Sequence, residues 1–389
     1  MDFTENEDHR AIRTAVREVC SQFDDDYWMR CELGHEFPWD FYAAMAKGGW
    51  IGIAIPEAYG GGGQGIAEAS IVLEEVAASG ACMNGASAIH LSIFGMHPVV
   101  LHGSEELKQR HLPGVAVGDT HIAFGVTEPD AGLDTTSITT RATRAADGCY
   151  LVHGRKVWTS KALESDRVLL LTRTTPKAQC AKSIDGMTLF VASLRDPAVH
   201  ITAIPKMGRN AVASCEVVYD GLRVEEADRV GEEGQGFRYL LDGLNAERVL
   251  VAAEALGTGR AALRRAVVYA NERVVFGRPI GQNQGISFPL ADAHARLRAA
   301  ELAIREAAWR LDRRMPAGEQ ANIAKYLAAD AAFQAADAAV QTHGGFGYAS
   351  EYHVERYFRE ARLQRLAPVP QEMVLNYLAE HVLGLPRSY

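Results

Sequence analysis

The stretch YLLDGLNAERVLVAAEALG (239–257) carries a charge where a helix should bury hydrocarbon. Leu240, Leu244 and Val251 fall on the same helical stripe as Glu247. A carboxylate in an apolar site without a partner has its pKa raised, which moves it toward the strength of a useful general base. Glu254 lies on the same stripe, and Glu372 follows a proline-rich turn, so both are further candidates for that role. The alternative is a structural Glu247 paired with another element. Arg248 is expected on a different face, because adjacent residues diverge on a helix.

A second set of residues suits a flat ligand. In AFGVTEPDAGLDTTSITTRA (123–142) a strand is predicted to end at Val126, with Thr127 and a Pro/Gly-rich turn after it. In GRKVWTSKALESD (154–166) a strand ends with Trp158, Thr159 and Ser160. Hydroxyls and backbone amides at two strand ends can bond the polar edge of an aromatic ligand, and an indole can cover its face. A flavin ring fits that description, and so does a Thr/Ser-rich sheet edge with one half-buried tryptophan.

Two glycine clusters imitate nucleotide loops. GGGGQG (60–65) formally matches G-x-G-x-x-G, but Pro56 interrupts the apolar run before it, and no second strand ending in an acid follows. It is predicted to be a loop between helices. GTGRAA (257–262) lies inside a helical run, where close helix packing explains it.

Three zones of different period must position these groups. Residues 1–120 read as an N-terminal helical domain, residues 121–230 as a central β domain, and residues 231–389 as a C-terminal helical bundle. In the middle zone, Asp147-Gly148 between two alternating runs is a hairpin signal. RVLLLTRT, GMTLFVASL and ASCEVVYDGLRV are further strands. In the last zone, Glu301 and Arg305 are spaced to pair, and Gly344-Gly345 should end an Ala-rich helix. The class is α+β, mainly α, without the βαβ alternation of a nicotinamide-binding sheet.

Composition narrows the partners. The chain has 389 residues, a net charge of −9 and a pI near 5.8, which argues against nucleic acid and anionic membrane surfaces. No apolar run reaches the roughly 18 residues of a membrane span. The acidic start MDFTENEDHR lacks an apolar core, so neither a signal nor a transit peptide is expected and the reading is cytoplasmic. Six scattered cysteines without C-x-x-C suggest buried thiols in a reducing compartment. His90 and His97 are too far apart for the usual helical metal pair, and no metal is expected.

TEPDAG with GRKVWTS, then PKMGRNAVASCEVVYDGLRV, GEEGQGF, ERVVFGRPIGQNQ and QTHGGFGYASEYHVERYFREARL, run in one order over nearly the whole chain and resemble the acyl-CoA dehydrogenases. The resemblance implies N-terminal helices, a central β-barrel domain and a C-terminal four-helix bundle. It implies FAD, usually a homotetramer, and removal of two hydrogens from Cα and Cβ of an acyl-CoA, with hydride passing to flavin N5. Electrons then go to an electron-transferring flavoprotein. By the same resemblance, Val126 and Thr127 match the pyrimidine side of the flavin, Trp158 its ring system and Ser160 the region of N5. Arg273 and Phe276 match residues that a neighbouring subunit gives to FAD. Gln284, Gln341, Gly344 and Gly345 match its diphosphate and adenosine region.

Many members place the base in a C-terminal segment that corresponds here to FREARLQRLAPVPQEM, where Pro368 holds the glutamate's position. A subgroup that includes isovaleryl-CoA dehydrogenase takes the base from the first bundle helix, directly before an arginine, which matches Glu247-Arg248. Leu133 replaces a serine that usually lies near the acyl-CoA. Ala367 and Pro368 are small and leave room for an acyl chain. The amide at the position of Pro368 normally donates to the thioester carbonyl, and proline has none. A re-routed loop in which Val369 donates instead is therefore expected. The rival readings are a flavin oxidase or monooxygenase on this fold and a catalytically silent acyl-CoA-binding relative.

Overall fold

The computed structural model describes residues 5–388. Seven helices come first: α1 (Glu7–Cys20), α2 (Asp25–Gly34), α3 (Trp39–Lys47), α4 (Ile66–Val76), α5 (Cys82–Phe94), α6 (His97–His102) and α7 (Glu105–Ala116). Side chains of Asn6, Asp24 and Ser104 cap α1, α2 and α7 by accepting from free amides of the first turn. The GGGGQG stretch is a loop before α4, as predicted, with Gly60 and Gly63 at φ 81° and 61°. The amides of Ile66 and Ala67 donate to the Asp312 carboxylate at 2.6 and 3.0 Å, so a protein anion already occupies this helix start.

The middle of the chain forms one sheet: β1 (Ile122–Gly125), β2 (Arg141–Arg144), β3 (Tyr150–Ser160), β4 (Arg167–Arg173), β5 (Met187–Ser193), β6 (Val199–Ala203), β7 (Ser214–Val224) and β8 (Arg229–Val230). The order is β6-β7-β3-β2-β4-β5-β8, with β1 parallel to β4. The hairpin at Asp147-Gly148 joins β2 to β3, and Gly148 has φ 90°. β1 ends at Gly125, one residue before the predicted Val126. The β3–β7 register shifts between Lys156 and Thr159, and Trp158 inside that bulge has φ 61°. Such a bulge re-aims a side chain, and here it leaves the indole 57% exposed.

After the sheet come α8 (Gly236–Glu272), a short hairpin of β9 (Val274–Val275) and β10 (Arg278–Pro279), α9 (Gln284–Asp312), α10 (Gly318–His343), α11 (Val354–Gln364) and α12 (Gln371–Tyr377). Helices α8 to α11 pack as a bundle around buried alanines such as Ala253, Ala261, Ala300, Ala332 and Ala335. A Cβ on Gly257 would lie 2.3 Å from the Glu74 carbonyl oxygen, so the glycine lets α8 lie against α4. This is the close packing expected of GTGRAA. Glu301 pairs with Arg305 at 2.6 Å, and α10 ends at Gly344 with φ 61°. No helix among the described residues is long and apolar enough to cross a membrane.

Candidate active site

A cavity of about 650 Å³ lies where α5, α8, the ends of β1 and β3 and the segment after α11 converge. It brings together Val126, Thr127, Leu133, Trp158, Ser160, Glu247, Arg248, Ala367 and Pro368 from distant parts of the sequence. Glu254 also lines it, whereas Glu372 is exposed and lies outside. The expectation that Arg248 faces elsewhere is corrected. Its backbone direction diverges from that of Glu247, but the side chain is long and lines the same wall, with Nη1 donating to Asn245 Oδ1 at 2.8 Å.

Glu247 is 7% exposed, and among the described residues its carboxylate has no hydrogen-bond or ion-pair partner. Burial pushes its pKa up to about 7, with Glu254 adding to the rise and His90 and Arg248 opposing it. Glu254 is different. His90 Nδ1 lies 2.7 Å from its Oε1, a contact close enough for an ion pair but not aligned as a hydrogen bond. Burial disfavours the His90 cation, yet Glu254 and Glu247 together outweigh that and raise its pKa.

The β side of the cavity is held by a pair that the sequence analysis missed. Lys156 is buried and donates to the Val126 carbonyl and to Glu128 Oε1, each at 2.9 Å. Glu128 in turn accepts from the amides of Thr139 and Thr140 at 2.7 and 2.9 Å. Burial alone would raise the pKa of Glu128, but Lys156 and these donors hold it at about 2. The Val157 amide donates to the Thr127 carbonyl at 2.9 Å. The backbone at Thr127 is thus tied to β3 one residue before Trp158. Alternation within GRKVW was the available signal, since it puts Lys156 on the inward face.

Arg209 was also missed. It lines the cavity and donates through Nη2 to Ser160 Oγ at 3.0 Å and Ser214 Oγ at 2.5 Å. Its Nη1 reaches Ser87 Oγ at 3.4 Å.

The remaining cofactor candidates do not line this cavity. Arg273, Phe276, Gln284, Gln341, Gly344 and Gly345 are exposed at one end of the bundle, and the Arg273 guanidinium lies 5.8 Å above the Phe346 ring. Phe276 is 101% exposed, and Gly344 and Gly345 have open space where a Cβ would point.

Helices, one sheet and a helical bundle meet around a cavity in which, among the described residues, the Glu247 carboxylate has no partner, and together they define a three-part enzyme fold. Family models for the acyl-CoA dehydrogenase N-terminal, middle and C-terminal domains match residues 6–119, 123–222 and 234–383. The chain therefore belongs to the acyl-CoA dehydrogenase family, whose cofactor is FAD. It is 39% identical to the acyl-CoA dehydrogenase fadE12 of Mycobacterium bovis, over 100% of this chain and 99% of the relative. Its fold is similar to glutaryl-coenzyme A dehydrogenase in complex with glutaryl-CoA, with a TM-score of 0.94 and 29% identity, covering 100% and 98% of the two chains. It is also similar to the prolyl acyl carrier protein oxidase AnaB, with a TM-score of 0.91 and 25% identity, over 98% and 100%.

The residues present fit a flavin. An exposed indole and the hydroxyls of Thr127 and Ser160 line one cavity, and the cofactor candidates at the bundle end leave open space rather than packing among themselves.

Proposed function

We propose that this enzyme removes hydrogens from Cα and Cβ of an acyl-CoA thioester, with Glu247 as the base that takes the α-proton. The observation that carries this reading is a buried carboxylate without a partner, its pKa raised to about 7, in the same cavity as Thr127, Trp158 and Ser160. When bound, FAD supplies the acceptor for the hydride that leaves Cβ. Thr127 and Ser160 would bond its edge, with Val126 beside Thr127, and the Trp158 indole would lie beside its ring. Leu133, Arg248, Ala367 and Pro368 line the acyl-CoA path, and the Val369 amide replaces the donor that proline lacks. Val369 lines the cavity, and among the described residues its N–H donates to no other group. Its carbonyl accepts from Lys325 Nζ, which fixes the loop.

The same reading gives Arg273, Phe276, Gln284, Gln341, Gly344 and Gly345 to FAD across a subunit contact. Exposed Val274, Phe276, Phe288 and Tyr348 near that end support a homo-oligomer, in the family pattern a tetramer. An electron-transferring flavoprotein is the proposed electron acceptor. The likeness to an oxidase supports oxygen use as a second reading, and oxygen consumption during turnover separates the two.

The test is anaerobic. Acyl-CoAs of several shapes are added to wild type and to Glu247→Gln while the flavin spectrum is recorded. Bleaching of the oxidised band in wild type but not in the variant is expected. Equal bleaching in both removes Glu247 from the role.

A further inference from the structure

The buried lining of the cavity mixes polar groups with the apolar Met83, Leu91, Leu240 and Val251, whereas its solvent-facing lining is apolar. Leu133, Leu241 and Leu366 on the open side are 64%, 42% and 53% exposed. Ser87, His90, Arg209, Glu254 and Gln364 on the closed side are all 9% exposed or less. A plain hydrocarbon tail pushed among such groups would strip their water and return no hydrogen bond.

The closed side also has unmet hydrogen-bonding capacity. Among the described residues, Arg209 Nε and Gln364 Oε1 are buried and have no partner, and Gln364 Nε2 reaches only the Met83 sulfur at 3.0 Å. The Arg209 guanidinium has five N–H donors and gives three bonds, all to serine hydroxyls, leaving the N–H at Nε and one at Nη1 unused among the described residues. No carboxylate lies within ion-pair distance of it among those residues. Glu254 and Glu360 act on it only from farther away. Glu254 already faces His90 at 2.7 Å, and Glu360 is paired with Arg356 at 3.2 Å. Lys206 adds a second cation beside Arg209, its Nζ donating to the Arg209 carbonyl at 2.7 Å. Arg209 and Lys206 thus stand together, while Glu254 and Glu360 are each engaged by another residue. A buried arginine held only by hydroxyls is costly unless an acceptor arrives with the ligand.

Resting on the acyl-CoA reading above, we propose that Arg209, with Ser87 beside it, selects acyl thioesters whose distal end carries a hydrogen-bond-accepting oxygen, with a terminal carboxylate as the best match to the local charge. Arg209 comes from the loop before β7 and not from a bundle helix, so it enters the cavity beside Ser160 and opposite α8. An acyl chain of suitable length places its oxygen against the guanidinium while its α-carbon meets Glu247. The hydroxyls of Ser87 and Ser160 orient the fork and leave its spare N–H groups for the ligand.

The test uses the FAD-loaded enzyme carrying Glu247→Gln, so that ligands bind without turnover. Calorimetry compares three thioesters of matched length: a saturated acyl-CoA ending in methyl, the ω-carboxy acyl-CoA and its methyl ester. The carboxylate probe is expected to bind at least 10-fold more tightly than the methyl-ended one, with the ester between them. Adding Arg209→Met should bring that ratio close to one. Arg209→Lys, which keeps the charge but loses the fork, should retain part of it. If the methyl-ended probe binds best to the Glu247→Gln enzyme, the inference falls without any need for the arginine variants. If the carboxylate preference survives Arg209→Met, another group selects and the inference falls as well. If none of the thioesters binds, the acyl-CoA reading itself fails, and this inference with it.

Discussion

His90 Nδ1 lies 2.7 Å from Glu254 Oε1, and this contact distinguishes two carboxylates on one stripe of α8. Glu254 has the His90 imidazole facing it at ion-pair distance, and among the described residues Glu247 has no such partner. A general base must be ionised, stand ready to take up the substrate's proton and remain unengaged until substrate arrives, which suits Glu247. Glu247→Gln is therefore expected to slow flavin reduction by roughly 10²–10⁴-fold, the usual range for a lost general base. Glu254→Gln should retain the chemical step and lose stability instead. Rapid-mixing spectroscopy under anaerobic conditions measures both, and the opposite pattern would make Glu254 the base.

The position of Glu247 sets opposite pH dependences for activity and stability. The ionised form is the base, so kcat/KM should rise with pH through about 7 and level off above it. Folding favours the neutral form, because burial raises the folded-state pKa above its ordinary value of 4.5. That contribution is fully present below pH 4.5 and is lost as pH rises through about 7. Glu247→Gln should match wild type in stability near pH 4 and exceed it near pH 8 by on the order of 3 kcal/mol. Denaturant melts at the two pH values give the comparison, and parallel curves would contradict it.

His90 acts on Glu247 through charge. It opposes the rise in the Glu247 pKa, together with Arg248, while Glu254 adds to it. His90→Leu removes an imidazole whose charge favours ionised Glu247 and leaves Glu254 buried without its partner. The ascending limb of the pH–rate profile should then move to higher pH. The fold should also lose roughly 3–5 kcal/mol, the cost of stranding a buried charge. A loss of stability with an unmoved limb would mean that His90 serves only Glu254.

Lys156 and Glu128 form a buried pair that fixes the turn bearing Thr127. Lys156→Met leaves Glu128 without its cation and the Val126 carbonyl without its side-chain donor. Roughly 3–5 kcal/mol of stability should be lost, and FAD should dissociate more readily as Thr127 loosens. Flavin fluorescence on dilution reads the release. Full FAD retention alongside a destabilised fold would separate the pair from the cofactor site.

How far the sequence could be read depended on whether local pattern carried the information. The change from helical to alternating period separated the helices from the sheet, and the Asp147-Gly148 turn and the end of α10 at Gly344 followed from turn chemistry. Glu247 stood out because a charge on an apolar stripe is a local anomaly. Arg209 carried no such signal, since one arginine in a loop looks solvated until the fold closes over it. Trp158 was legible as a residue type, but its outward aim comes from a register shift against β7 that depends on the partner strand. Arg248 was misplaced because helical geometry fixes the Cβ direction, not the reach of a long side chain. The residues at the bundle end rested on resemblance, and the fold of one chain leaves them exposed and away from the cavity.

The loop at Pro368 gives the most selective test of how the thioester is held. Proline offers no N–H, whereas Val369 lines the same cavity and its N–H has no acceptor among the described residues. An amide fixed in advance beside a carbonyl that gains negative charge stabilises that charge without reorganising. Val369→Pro removes the donor and should lower kcat by about 10²–10³-fold, the effect of losing one such donor. Val369→Ala keeps the N–H and should remain within a few-fold of wild type. Pro368→Ala adds an amide one residue earlier and should not reproduce the loss. If Val369→Pro loses no more than Val369→Ala does, the carbonyl is held by another group.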